Sequence, residues 1–160
     1  MKDSSSILTG LSFGLTSGII TTLGLMVGLN ASTQSKSVVI GGILTIAIAD
    51  AFSDALGIHI SEESERKHTA KEIWISTIVT FLSKFIFALT FIVPVLFFNL
   101  SSSIIVSIIW GLTCLCILSF FISRKEKASP WNSIFEHLLI ALIVIIITNF
   151  VGQKISSAFK

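Results

Sequence analysis

Charge is the scarcest commodity in this chain. Only 12% of its 160 residues are Asp, Glu, Lys or Arg, where a soluble domain carries about 25%. A water-facing surface needs charge, so this deficit argues against a soluble domain more strongly than the 52% hydrophobic share does. The net charge of +2 leaves no basic field for a nucleic-acid partner. Cysteine is nearly missing too. Cys114 and Cys116 lie in an apolar run, two residues apart and therefore on different helix faces. They read as small apolar residues rather than a redox pair or metal site. No nucleophile–base set, zinc signature or phosphate loop is present, so an enzyme is not expected. At the start, Lys2 is balanced by Asp3, and the apolar run that follows exceeds a signal-peptide core. It reads as a permanent span.

Long apolar runs fill most of the chain. Crossing about 30 Å of hydrocarbon takes roughly 20 mostly apolar residues, and five segments qualify: Ile7–Leu29, Val38–Ile60, Ile73–Phe98, Ile104–Ile122 and Ile134–Val151. In lipid an isolated strand would leave its backbone unpaired, so all five are predicted to be helices in one all-α transmembrane domain covering residues 1–160. Short polar joints separate them: Ala31–Ser37, Asn99–Ser103 and Arg124–Asn132, with Pro130 marking the start of the last helix. The longest joint, Ser61–Glu72, holds good helix formers with charges of both signs and is expected to prolong span two as an exposed helix.

Lys and Arg in the joints set the expected orientation. Lys2, Arg66, Lys67, Lys71, Arg124, Lys125 and Lys127 fall on one side, whereas only Lys36, Lys154 and Lys160 fall on the other. The N-terminus is therefore expected in the cytosol and the C-terminus outside. No organelle signal is recognisable, so a prokaryotic plasma membrane is the default expectation, with an organelle membrane as the alternative. Span one is rich in glycine. Gly10, Gly14 and Gly18 repeat every four residues, as do Gly24 and Gly28. Such stripes let helices approach closely in lipid, and the expected neighbour is span two or a second copy of the chain.

Several ionisable residues lie within the spans: Asp50, Asp54, His59, Lys84, Glu136 and His137. A charge at the bilayer centre costs at least about 2.5 kcal/mol. Asp50 and Asp54 are four apart and share a face of span two, with Ser53 and Gly57 beside them. Two carboxylates so placed repel each other unless a cation, a metal, a proton or water compensates. At about 1.5 Å per residue, Asp50 and Lys84 both sit roughly 15 Å deep, which makes an ion pair between them feasible. Asp54 lies one turn closer to the inner face, and Glu136 is near that face in span five. If spans two and five met, Glu136, Asp54 and Asp50 would form an acidic stair with oxygen ligands suited to Mn²⁺, Fe²⁺ or protons. His59 and His137 read as interfacial.

The segments SGIITTLGLMVGL (17–29), ADAFSDALGIHISEESE (49–65) and SIFEHLLIALIVIIITNFVG (133–152) together resemble the vacuolar iron transporter family. The segment 49–65 carries the most specific part of the likeness. The resemblance implies five membrane helices, export of Fe²⁺ or Mn²⁺ from the cytosol in exchange for protons, and a homodimer whose first two helices line its axis. It implies no permanently bound cofactor, the metal being cargo, and its partners are the lipid bilayer and a second copy.

The chain departs from the family pattern at informative places. Ser17 stands where the family has a metal-binding aspartate, Thr22 where it has a proline, and Asp54 where it has a methionine. The cytosolic metal-binding helices between spans two and three are missing. The joint there keeps Glu62, Glu63, Glu65 and Glu72 but no methionine, since Met1 and Met26 are the only two in the chain. In one reading Asp54 supplies the lost carboxylate, Ser17 and Thr21 add hydroxyl oxygens, and two copies build a four-carboxylate cage. The expected metal-site residues are then Asp50, Asp54, Ser17, Thr21, Glu136, Glu62 and Glu65. In the other reading the chain is a non-transporting scaffold or partner-binding protein that keeps the fold, with Asp50–Lys84 as a structural pair.

Overall fold

The computed structural model describes residues 2–125 and 128–159. Met1, Lys127 and Lys160, which entered the reading of the sequence, lie outside it, as do the side chains of Lys2 and Asp3. Among the described residues the order is α1 (Lys2–Thr33), α2 (Lys36–Glu65), α3 (Ala70–Thr90), α4 (Ile92–Phe97), α5 (Leu100–Lys125) and α6 (Pro130–Ala158). Five stretches are long and apolar enough to cross a bilayer: Ser4–Thr33, Lys36–Glu65, Ala70–Phe97, Leu100–Lys125 and Pro130–Ala158. The expected all-α membrane bundle is what the chain forms.

Each helix runs past its apolar stretch because the capping signals lie further out. The Ser35 side chain accepts from the Val38 backbone N–H and starts α2. Thr69 and Glu72 form a reciprocal capping box at the start of α3, and Pro130 opens α6. Helix α2 does prolong span two, but only to Glu65. Arg66 adopts the left-handed conformation (φ 53°), its N–H donating to the Glu63 carbonyl, and the helix stops. The joint 61–72 is also less exposed than expected, since Glu62 and Glu72 are buried. Span three is broken at Phe91 into α3 and α4. Pro94 supplies the reason: its ring conflicts with the Thr90 carbonyl, and it has no N–H to offer that carbonyl. At the end of α4, the Lys36 ammonium donates to the carbonyls of Leu96 and Phe98, each at 3.2 Å.

Helix α1 is the hub and packs against α2, α3, α5 and α6. Its Ile19, Leu23, Met26 and Val27 form the middle of the core with Val39 and Ile43 of α2, Phe91, Val95 of α4 and Leu115 of α5. Large side chains such as Phe52, Ile86, Ile109, Phe121 and Ile146 point outward, as lipid-facing residues should.

The glycine stripes of α1 pack within the chain, and neither meets α2 as expected. Gly10, Gly14 and Gly18 lie on α3. A Cβ at Gly10 would come within 2.7 Å of the Ser76 carbonyl, and one at Gly14 within 2.7 Å of the Thr80 carbonyl. Gly24 and Gly28 lie on α6 at Val144 and Thr148. The stripes fit small backbones together inside one bundle.

Candidate functional site: a lysine held by two aspartates

On α3, residues four apart form a buried polar line: Ser76, Thr80 and Lys84. The glycines of α1 face this line, and their lack of side chains lets the lysine stem run between the helices. A Cβ at Gly18 would lie 3.3 Å from Lys84 Cγ and 3.4 Å from its Cα. Lys84 is 1% exposed. A buried ammonium must be paired, and three helices supply the partners. Ser17 Oγ of α1 accepts from Nζ at 2.7 Å. Asp54 of α2 accepts a hydrogen bond from Nζ and pairs with it through Oδ2. One turn away on the same helix, Asp50 Oδ2 lies 2.6 Å from Nζ.

The two carboxylates are not equivalent. Asp54 is aligned with the ammonium, whereas Asp50 Oδ2, although close, lies off the hydrogen-bonding direction and has no other partner. Side-chain exposure follows the same order, 18% for Asp54 and 27% for Asp50. Asp50 opens onto a groove of about 660 Å³ between α1 and α2, which also receives Thr21, Thr45 and Ser53. Two carboxylates and one ammonium leave the cluster with one net negative charge. The repulsion expected between Asp50 and Asp54 is thus relieved by Lys84, and the feasible Asp50–Lys84 pair is extended to a triad with Ser17 as a fourth member.

The other expected site residues are not gathered here. Thr21 lines the groove, its hydroxyl donating to the Ser17 carbonyl at 2.9 Å. Glu62 is two turns further along α2, buried, and accepts from Ser76 Oγ at 2.5 Å. Glu65 is at the exposed end of α2, 3.6 Å from Lys67 Nζ and 4.0 Å from His68 Nε2. Glu136 is exposed on α6, a helix that packs mainly on α1 and α5. The acidic stair through Glu136 is therefore not assembled, because α6 reaches the bundle on a different side of α1. Among the described residues, no group of three or more His, Cys, Asp or Glu side chains is placed to hold a metal ion.

Sequence reasoning missed the Glu62–Ser76 bond and the role of Ser17 toward Lys84. A signal for the second was present. The spacing of Ser76, Thr80 and Lys84 matches that of Gly10, Gly14 and Gly18, as two facing helices require. The membrane histidines also find partners that the sequence did not reveal. His59 Nδ1 is 3.0 Å from Thr77 Oγ1, and His137 Nδ1 is 2.7 Å from Ser119 Oγ.

A family model, the VIT family, matches residues 11–76. That stretch holds Ser17, Asp50, Asp54 and Glu62, and it ends short of Lys84 and Glu136. No curated protein matches the chain.

Proposed function

We propose, from the VIT-family membership that the match over residues 11–76 supports, that this chain carries Fe²⁺ or Mn²⁺ out of the cytosol in exchange for protons. Membership suggests membrane metal ion transport, and the five apolar helices fit an integral membrane protein. The observation that carries the finer reading is the Asp50–Asp54 pair, which already holds a cation in the middle of the bundle. Oxygen ligands on one helix face suit Mn²⁺ or Fe²⁺, and the cargo takes the place of the Lys84 ammonium. Asp50 receives it from the groove, Asp54 is the second ligand, and Ser17 and Thr21 offer hydroxyl oxygens. Glu62 and Glu65 lie at the end of α2, which the positive-inside pattern assigns to the cytosol. Glu136 is left out of the site.

The groove between α1 and α2 is lined by Asp50, Thr45 and Ser53, all within a helix long and apolar enough to cross a bilayer. Polar side chains do not face lipid cheaply, and a second copy packed through α1 and α2 would cover them. On this reading the path runs along the axis of a homodimer in a plasma or organelle membrane, with the N-terminus cytosolic.

A second reading rests on the same cluster. With Lys84 fixed on both acids, the triad is a structural pin and the chain a scaffold without cargo. Purified protein in proteoliposomes separates the two. The transport reading expects Mn²⁺ or Fe²⁺ uptake under a proton gradient, and its loss in Asp54→Ala. Uptake of neither metal by the parent contradicts transport, and undiminished uptake by Asp54→Ala contradicts the site.

A further inference from the structure

The geometry points to a selectivity role for Lys84: we propose that it is a tethered competitor, which admits divalent cations to the Asp50–Asp54 pair and turns monovalent ones away. This rests on the transport reading of the same site.

The argument begins with charge. The ammonium is the sole cation that the described residues bring to the two acids, and it is almost wholly excluded from solvent. An incoming ion meets Asp50 first, because Asp50 is the more exposed carboxylate and the one that lines the groove. Asp50 is also the weaker held, lying off the hydrogen-bonding direction of Nζ, while Asp54 is aligned with it. To take both carboxylates, the ion must replace the ammonium. A monovalent ion brings the same single charge as the lysine and no covalent tether, so exchanging one for the other gains no Coulomb energy. A divalent ion brings two charges against two carboxylates. Breaking a buried pair is costly, and only a divalent ion brings enough charge to the two carboxylates to offset that loss. The tether also keeps the competitor at high effective concentration, and the stem is confined by the close approach of Gly18.

A structural pin and a competitor predict opposite effects on metal affinity. The Kd for Mn²⁺ would be measured by calorimetry on the purified full chain, parent against Lys84→Met, alongside Rb⁺ uptake in proteoliposomes. If Lys84 competes, its removal tightens Mn²⁺ binding by about tenfold or more, equivalent to 1.4 kcal/mol or more, and Rb⁺ uptake appears where the parent shows none. A Kd that is unchanged or weakened, without Rb⁺ uptake, overturns the proposal. If Lys84→Met fails to give a monodisperse protein, Lys84→Gln carries the test, since it removes the ammonium, keeps both carboxylates and leaves them a polar partner. Rb⁺ uptake by Lys84→Gln supports the competitor, and its absence overturns it. Failure of the parent to move any divalent metal is a different result: it removes the transport reading and this inference with it.

Discussion

At the scale of single residues, hydroxyl groups decide what the charged and aromatic side chains do. Ser17 gives the Lys84 ammonium an acceptor at 2.7 Å on a third helix. Hydrogen bonds to charged groups contribute about 1.5–3 kcal/mol, so Ser17→Ala should cost that much in unfolding free energy, readable from reversible unfolding in a mild detergent. No loss would show that the two aspartates hold Lys84 unaided. The membrane histidines follow the same logic. Thr77 Oγ1 has one proton and gives it to the Ile73 carbonyl at 2.7 Å, while Ser119 Oγ gives its own to the Leu115 carbonyl at 2.6 Å. A hydroxyl whose proton stays on that carbonyl can only accept from its histidine, and this arrangement predicts the ring proton on Nδ1 in both. Nitrogen-15 chemical shifts of His59 and His137 should report that tautomer, and Nε2–H signals at neutral ring charge would contradict it. Neither assignment was legible in the sequence, because it depends on which residue lies opposite across two helices.

At the scale of elements, close approach sorts the glycines. A Cβ at Gly14 would meet the Thr80 carbonyl at 2.7 Å, whereas one at Gly57 has nothing within 4 Å. Overpacking costs about 1–3 kcal/mol, so Gly14→Ala should lower the melting temperature clearly. Gly57→Ala should raise it slightly, because alanine is favoured over glycine in a helix by up to about 1 kcal/mol. Equal melting temperatures for the two variants would contradict the packing of α1 on α3. The stripes themselves were readable as close-packing surfaces, since a period of four needs no partner to be seen. Their partners were not, because the pattern carries no address: α3 and α6 receive them, and α2 does not. The break at Phe91 is of the same kind. An apolar run from Ile73 to Phe98 passes as one span by hydropathy, while Pro94 divides its backbone.

At the scale of the whole molecule, the membrane class followed from composition alone, because too little charge for a wet surface leaves few alternatives. The depth argument brought Asp50 and Lys84 together correctly, since two antiparallel helices joined by a short turn put equal distances at equal depth. It failed for Glu136, because depth fixes one coordinate only, and α6 meets α1 from another side. The proposed homodimer can be tested at this scale as well. Ala49 lies in the α1–α2 groove beside Asp50, so Ala49→Trp should shift the purified protein from dimer to monomer by light scattering. A dimer that persists would mean the copies meet elsewhere.

The central claim is that Asp50 and Asp54 receive the transported metal in place of the Lys84 ammonium. Anomalous diffraction from crystals soaked in Mn²⁺ tests it most directly. The account predicts a Mn²⁺ peak bound to the carboxylates of Asp50 and Asp54, with the Lys84 ammonium moved off both. Lys84 still seated between the two carboxylates at saturating Mn²⁺, with any peak elsewhere, would contradict it.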